Sequence, residues 1–288
     1  MRQDAALVEP SQWASAMRDS DAGRRRTRVV LPRIGRDRVA AAALPLVVPG
    51  VLLALWQLSA IHGWVSVQIL PPPALVVQTF VELLLSGDIA ENLWISTRRV
   101  IVGFLIGAGA GIAFGVAMGL SPKVEQYLSP LFRGIAQVPS LGWLPFLILL
   151  VGIGEPLKFI IIAKSCFVPL ALNTHEGIRN VPRQYLEVAR VFRLSRRTLV
   201  SKVVLPAALP PVFSGVRLAL SHAWIALVIV EMLASTEGIG YLMTWGRTLF
   251  QVDVVMAGMV VIGAIGLVMD VGLRRVERRL RRWAPAAA

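Results

Sequence analysis

Long apolar runs alternate along this chain with short basic or turn-rich stretches. A helix needs about 20 apolar residues to cross a hydrocarbon core of about 30 Å. Six runs are read as spans on that measure, near residues 41–61, 93–120, 130–153, 157–174, 210–234 and 253–273. Lys158 and Lys164 interrupt the fourth. Two other stretches have a different pattern. In ILPPPALVVQTFVELLLSGD, Pro71 and Pro72 end the preceding conformation and Pro73 can start a helix. There Leu75, Val76, Phe80, Leu83 and Leu84 recur at helical spacing against Gln78, Thr79 and Glu82, which predicts a short helix on the outer surface. STEGIGYLMTWGRTLFQVD is too polar to cross and too apolar to be free in water. It is expected to form an outer-surface helix or a re-entrant element, with Asp253 as N-cap of the last span.

Inside the second span Gly103, Gly107, Gly111, Gly115 and Gly119 recur every four residues. Small residues at that spacing form a groove that lets another helix approach closely, either within the bundle or on a second copy. The third span contains VPSLGWLPF, where Pro139, Gly142 and Pro145 weaken the helical ladder. Broken helices are tolerated at membrane depth where they line a cavity or are buried in protein. Both packing and a pathway role fit Pro139 and Pro145.

Composition agrees with a polytopic, all-α membrane protein: 56% of residues are hydrophobic and 16% charged, with mean hydropathy +0.66. The net charge of +13 does not signify nucleic acid, because the basic residues cluster beside the spans rather than in one patch. The clusters are Arg24 to Arg38, Arg179 to Lys202 and Arg274 to Arg282. Residues 62–97 contain no Lys or Arg, and residues 235–252 contain only Arg247. Positive charge marks the cytoplasmic side, so both termini and the long basic loop are expected there. Residues 1–38 read as a disordered basic cytoplasmic arm and not a signal peptide, residues 39–283 as the membrane domain and residues 284–288 as a tail. Cys166, alone in an apolar run, is expected to pack and cannot form a disulfide within the chain.

Familiar catalytic chemistry is missing. There is no G-x-x-x-x-G-K-[ST] to hold nucleotide phosphates and no H-E-x-x-H, and His62, His175 and His222 are scattered. Ser221 next to His222 has no nearby carboxylate to complete a nucleophile. No cofactor or metal is expected, and the chain reads as a mover or gate driven from elsewhere. Ion coupling through deep groups such as Lys164, Arg217 and Glu231 is one source of energy. A partner ATPase docked on the cytoplasmic face is the other.

The stretch EVARVFRLSRRTLVSKVVLPAAL, within the loop at about residues 179–206, bears on that choice. Pro182 can open a helix that places Tyr185, Leu186, Ala189 and Phe192 on one face and Arg183, Glu187 and Arg190 on the other. A second segment carries Leu199, Val200, Val203 and Val204 and is expected to stop at Leu205 and Pro206, with Pro210 and Pro211 preceding the fifth span. An ordered amphipathic loop has a face to bury. Anionic lipid accounts for its arginines, but not for the spacing from Glu187 to Leu205 and Pro206.

That spacing resembles the EAA loop of ABC importer permeases, E-A-A, three residues, G, nine residues, I-x-L-P. Glu187, Ala189, Leu205 and Pro206 match, Val203 stands for the isoleucine, Val188 replaces an alanine, and Arg193, before Leu194, occupies the glycine position. GWVSVQILPPP, LILLVGIGEPLKFIIIA, LNTHEGIRNV and EGIGYLM extend the resemblance over about residues 40–283, towards the aliphatic sulfonate, taurine and nitrate branch and the sulfonate members in particular. The resemblance implies a type I importer permease fold of six membrane helices in a bacterial inner membrane. It also implies a second permease copy, two ATPase subunits that hydrolyse the ATP and an external substrate-binding protein. Residues Glu187, Ala189, Arg193, Leu194, Val203, Leu205 and Pro206 would couple to the ATPase. If the backbone at Arg193 has positive φ, as glycine allows, arginine is strained there. The substrate expected is an aliphatic sulfonate, with taurine, nitrate and a pyrimidine precursor also open.

Lys164 belongs to no motif of that family. It has three readings: an ion pair with Glu231, a stem that carries the ammonium to an interface, or a pathway position shared with Pro139, Pro145 and Glu231.

Overall fold

A computed structural model describes residues 36–281 of the chain, with side chains from 47 to 279. It divides into two units, Met1–Leu55 and Trp56–Ala288. The expected arm and tail at residues 1–35 and 282–288 lie outside the described residues. Helix α1, Arg36–Ile61, carries the first expected span and runs from the first unit into the second. In the second unit follow α2 (Pro73–Leu85), α3 (Asp88–Leu120), α4 (Pro122–Gln137), α5 (Leu144–Val151) and α6 (Glu155–Arg179). The chain continues through α7 (Arg183–Val191), α8 (Arg196–Leu199), α9 (Leu205–Ala234), α10 (Ile239–Thr248) and α11 (Val252–Arg281).

Among the described residues four helices are long and apolar enough to cross a membrane, and five if a bent pair is one span. Helix α1, with 26 residues, covers the first expected span, and its part with described side chains, Val47–Ile61, is apolar. The bent pair is the third expected span. Its halves meet at 87°, with Pro139 before the 3₁₀ turn Ser140–Trp143 and Pro145 in the first turn of α5. The proline there cannot continue a ladder of i to i−4 bonds, so the break expected from VPSLGWLPF is present.

Helix α6 lies at the centre: 56% of its apolar window is buried, against 33% for α3 and 22% for α11. The glycines of α3 make one side of that core. A Cβ on Gly111 would lie 2.8 Å from the Phe167 carbonyl oxygen, and one on Gly115 2.6 Å from that of Ala171. Gly103, Gly107 and Gly119 likewise face Ile162, Ala163 and Ile178. The stripe is thus a seam between α3 and α6 of one chain, closed only because no Cβ stands in the way. On the other side, Ile162, Cys166 and Leu170 pack against Ala219, Ala223 and Leu227 of α9. Cys166 is fully buried and packs as expected. Phe114, Phe132 and Phe167, with centroids 5.4 to 6.0 Å apart, seat α4 on the α3–α6 pair.

Two local expectations are corrected. The prolines after Val204 do not end a helix: Arg196–Ala234 forms one continuous helical segment, with Pro206, Pro210 and Pro211 inside α9. A π turn at Val200–Val204 leads into it, and its wider spacing takes up the bond that Pro206, lacking an N–H, cannot make. Asp253 falls within the first turn of α11, where its carboxylate accepts a 2.7 Å hydrogen bond from Thr79 of α2. That bond, rather than a cap, ties the short helix α2 to the last span. Helix α2 starts at Pro73 as expected.

Candidate functional site

The loop at residues 179–206 folds into two short helical pieces around a closed turn. After α7 the Leu194 N–H donates to the Ala189 carbonyl at 3.0 Å and the Arg193 N–H to the Arg190 carbonyl at 2.9 Å. These are the two bonds of a Schellman closure, which puts a left-handed residue, usually glycine, just past the helix. Arg193 takes that position with φ of +48°. The positive φ anticipated for the family's glycine is therefore present, and a side chain there costs about 1–2 kcal/mol. Ser195 then opens the next turn, its Oγ accepting from the Thr198 N–H at 3.3 Å.

Inward, Ala189 and Leu186 pack on Ile178, Val181, Val204 and Ala208, which fixes α7 to the ends of α6 and α9. Outward, Val188, Val191 and Phe192 are 56%, 79% and 73% exposed. Phe192 and Tyr185 were expected on the buried face with Leu186 and Ala189 but are exposed. Phe192 is the capping residue of α7, its N–H still bonded to the Val188 carbonyl at 3.1 Å, and the chain leaves the helix there towards the turn at Arg193. Tyr185, one residue from Leu186, lies at the edge of the buried stripe. Glu187, Arg190, Arg193 and Leu194 are exposed, as are Leu205 and Pro206, while Val203 is half-buried. The residues of the pattern thus share one end of the helical unit, around an apolar surface flanked by arginines.

Lys164 and Glu231 are not brought together. Glu231, 1% exposed, accepts from Arg99 at 2.9 Å, from Ser96 at 2.9 Å and from the Gly240 N–H at 3.0 Å. Arg99, fully buried, also reaches Glu155 at 2.5 Å and Glu237 at 2.6 Å, and Lys158 joins through Glu155 at 2.8 Å. This network ties α3, α6 and α9 to the segment before α10. Gly238 is required in that segment, because its φ is +104° and a Cβ would meet the Glu231 carboxylate. Glu231 is therefore committed to a buried ion pair. Arg99, Glu155 and Glu237 were not singled out in the sequence; the available signal was TRRV, a charge in an apolar run with no partner nearby in the chain.

Lys164 lies about 14 Å along α6 at 1.5 Å per residue. Its Nζ donates to the Val138 carbonyl at 3.0 Å and sits 5.3 Å from the centre of the Trp143 ring. It borders a cavity of about 420 Å³ at the break between α4 and α5, which Pro139 and Ser140 also line. Of the four expected pathway residues, Lys164 and Pro139 meet there, Pro145 lies just beyond in the first turn of α5, and Glu231 is elsewhere. A cation at membrane depth costs about 2.5–3.5 kcal/mol unless it is partnered. A carbonyl and a ring face compensate it only in part.

A bundle of apolar helices with an internal glycine seam, a broken span at a cavity and an ordered basic loop presenting an apolar surface defines a membrane permease. The chain belongs to the family of binding-protein-dependent transport system inner membrane components, whose profile matches residues 103–282. It is 40% identical over 238 residues to the permease SsuC of Bacillus subtilis, named for aliphatic sulfonates transport, with 83% of this chain and 86% of that protein covered. It is 32% identical to the taurine transport system permease protein TauC of Escherichia coli, over 81% of this chain and 86% of that one. An inward-facing MetNI methionine ABC transporter structure superposes with a TM-score of 0.59 at 16% identity, covering 68% of this chain and 97% of that one. The fold is accordingly that of ABC importer permeases.

Proposed function

We propose that this chain is the membrane subunit of an ATP-driven importer for small organic anions, aliphatic sulfonates foremost, in a bacterial inner membrane. Two copies form the pathway, two ATPase subunits dock on the cytoplasmic side, and an external binding protein delivers substrate. Both termini are cytoplasmic, in keeping with the basic clusters of the sequence. Taurine or nitrate, carried by the same branch, is the alternative cargo. One observation carries the reading: α7 is packed on one face and leaves Val188, Val191 and Phe192 open on the other, among Arg190, Arg193, Arg196 and Arg197. An apolar centre with a charged rim is the anatomy of a protein docking surface. Closure of a docked ATPase pair would move α7, and through Ala189 and Val204 the ends of α6 and α9.

The test is co-purification with a candidate ATPase subunit expressed together with this chain. Val188→Asp and Phe192→Asp alter exposed positions, so insertion into the membrane should persist. ATPase retention should fall by about 30-fold, the effect of losing a contact worth about 2 kcal/mol. Retention unchanged in both variants would contradict docking at α7.

A further inference from the structure

The cavity beside Lys164 has a chemical bias of its own. Among the described residues Lys164 makes no ion pair, and its ammonium meets only the Val138 carbonyl and the Trp143 ring. Ser140, Ser165 and His222 are the other polar side chains of the lining, and Leu172 and Ile225 supply apolar wall. A cation without a counter-ion, beside hydroxyls that can donate and next to hydrocarbon, suits an anionic head with a short alkyl chain. The carbonyl at the helix break holds the ammonium in place without neutralising it, so an arriving anion finds a positioned charge.

We infer that this cavity is a transient seat for the anionic head of a short-chain alkanesulfonate within the permease, with Lys164 as its specificity-determining residue. The inference rests on the transport reading above and adds a selection step in the membrane subunit to the one made by the binding protein. The same chemistry would be met by the head of an anionic lipid. Substrate and lipid are separated by the choice of bilayer.

The first experiment uses the wild-type permease–ATPase complex in nanodiscs of phosphatidylcholine. Amine acetylation at alkaline pH is followed by mass spectrometry at Lys164, with Lys123 and Lys202 as internal references. Butanesulfonate should slow acetylation of Lys164 severalfold and leave the references unchanged, and chloride at equal ionic strength should not. No slowing overturns the seat, and slowing that appears only with anionic lipid in the disc assigns the cavity to lipid and overturns it as well. The second experiment is uptake by proteoliposomes at saturating, loaded binding protein, so that capture is not limiting. Lys164→Arg should stay close to wild type and Lys164→Gln should fall about tenfold, the effect of losing one charge-assisted contact. Equal uptake by Lys164→Gln and wild type overturns the inference while leaving the transport reading intact. Absence of uptake by the wild type would instead overturn the transport reading.

Discussion

Arg193 shows how far single residues could be read in advance. The spacing of Glu187, Ala189, Leu205 and Pro206 identified a turn in which glycine is the ordinary residue, and Arg193 has the left-handed backbone that this position demands, φ +48°. A local backbone requirement is legible because it acts over a few residues. Arg193→Gly should therefore relieve strain, raising the thermal unfolding midpoint of the purified complex by about 2–4 °C for about 1 kcal/mol gained. Differential scanning fluorimetry checks this, and a lower midpoint would mean that the Arg193 side chain makes a contact worth more than the strain. Arg99 is the opposite case. Its partners Glu155, Glu231 and Glu237 lie 56, 132 and 138 residues away. Pairing Lys164 with Glu231 satisfied the rule that deep charges need partners, but the rule does not say which partner, and the three-dimensional arrangement chose Arg99.

At the scale of elements, periodicity placed the spans well where composition was uniform. It placed them poorly where proline chemistry had a tertiary solution. The glycine repeat of α3 named a seam, but only the packing shows α6 on the other side of it. The third span was expected to break and does, at 87°. The loop's second segment was expected to stop at Pro206, yet a π turn carries it into α9, an adjustment that no single-residue propensity records. Helix α10 is short, and Arg99 is the group that ties the segment before it to three longer helices. Arg99→Ala leaves the buried Glu231 without its charge partner, which costs about 3–5 kcal/mol. The loss should be felt first around α10: hydrogen exchange across residues 235–250 should accelerate by two orders of magnitude or more if local opening carries about that cost. Exchange confined to wild-type rates there would show that Ile239 and its neighbours hold α10 without the network.

For the whole molecule, the arrangement links two sites through α6. At one end α7 is fixed to α6 and α9 through Ile178, Val204 and Ala208. Along the same helix Lys164 faces the cavity at the broken span. Movement imposed at α7 can reach that cavity through a single continuous helix, and on the proposed function this is the route by which hydrolysis on a separate subunit would act on a chain whose sequence holds no G-x-x-x-x-G-K-[ST]. The competing account places the energy in an ion gradient acting on buried charges. Yet Arg99 and Glu231 are closed into a satisfied network and Arg217 is paired with Asp270 at 3.2 Å, which leaves Lys164 alone of the three named groups for such coupling. The most direct measurement is uptake of a radiolabelled alkanesulfonate by proteoliposomes holding this permease and its ATPase, with loaded binding protein outside. Uptake is predicted to require ATP inside the vesicles and to persist when an ionophore collapses the ion gradients; uptake that continues without ATP and stops with the ionophore would contradict it.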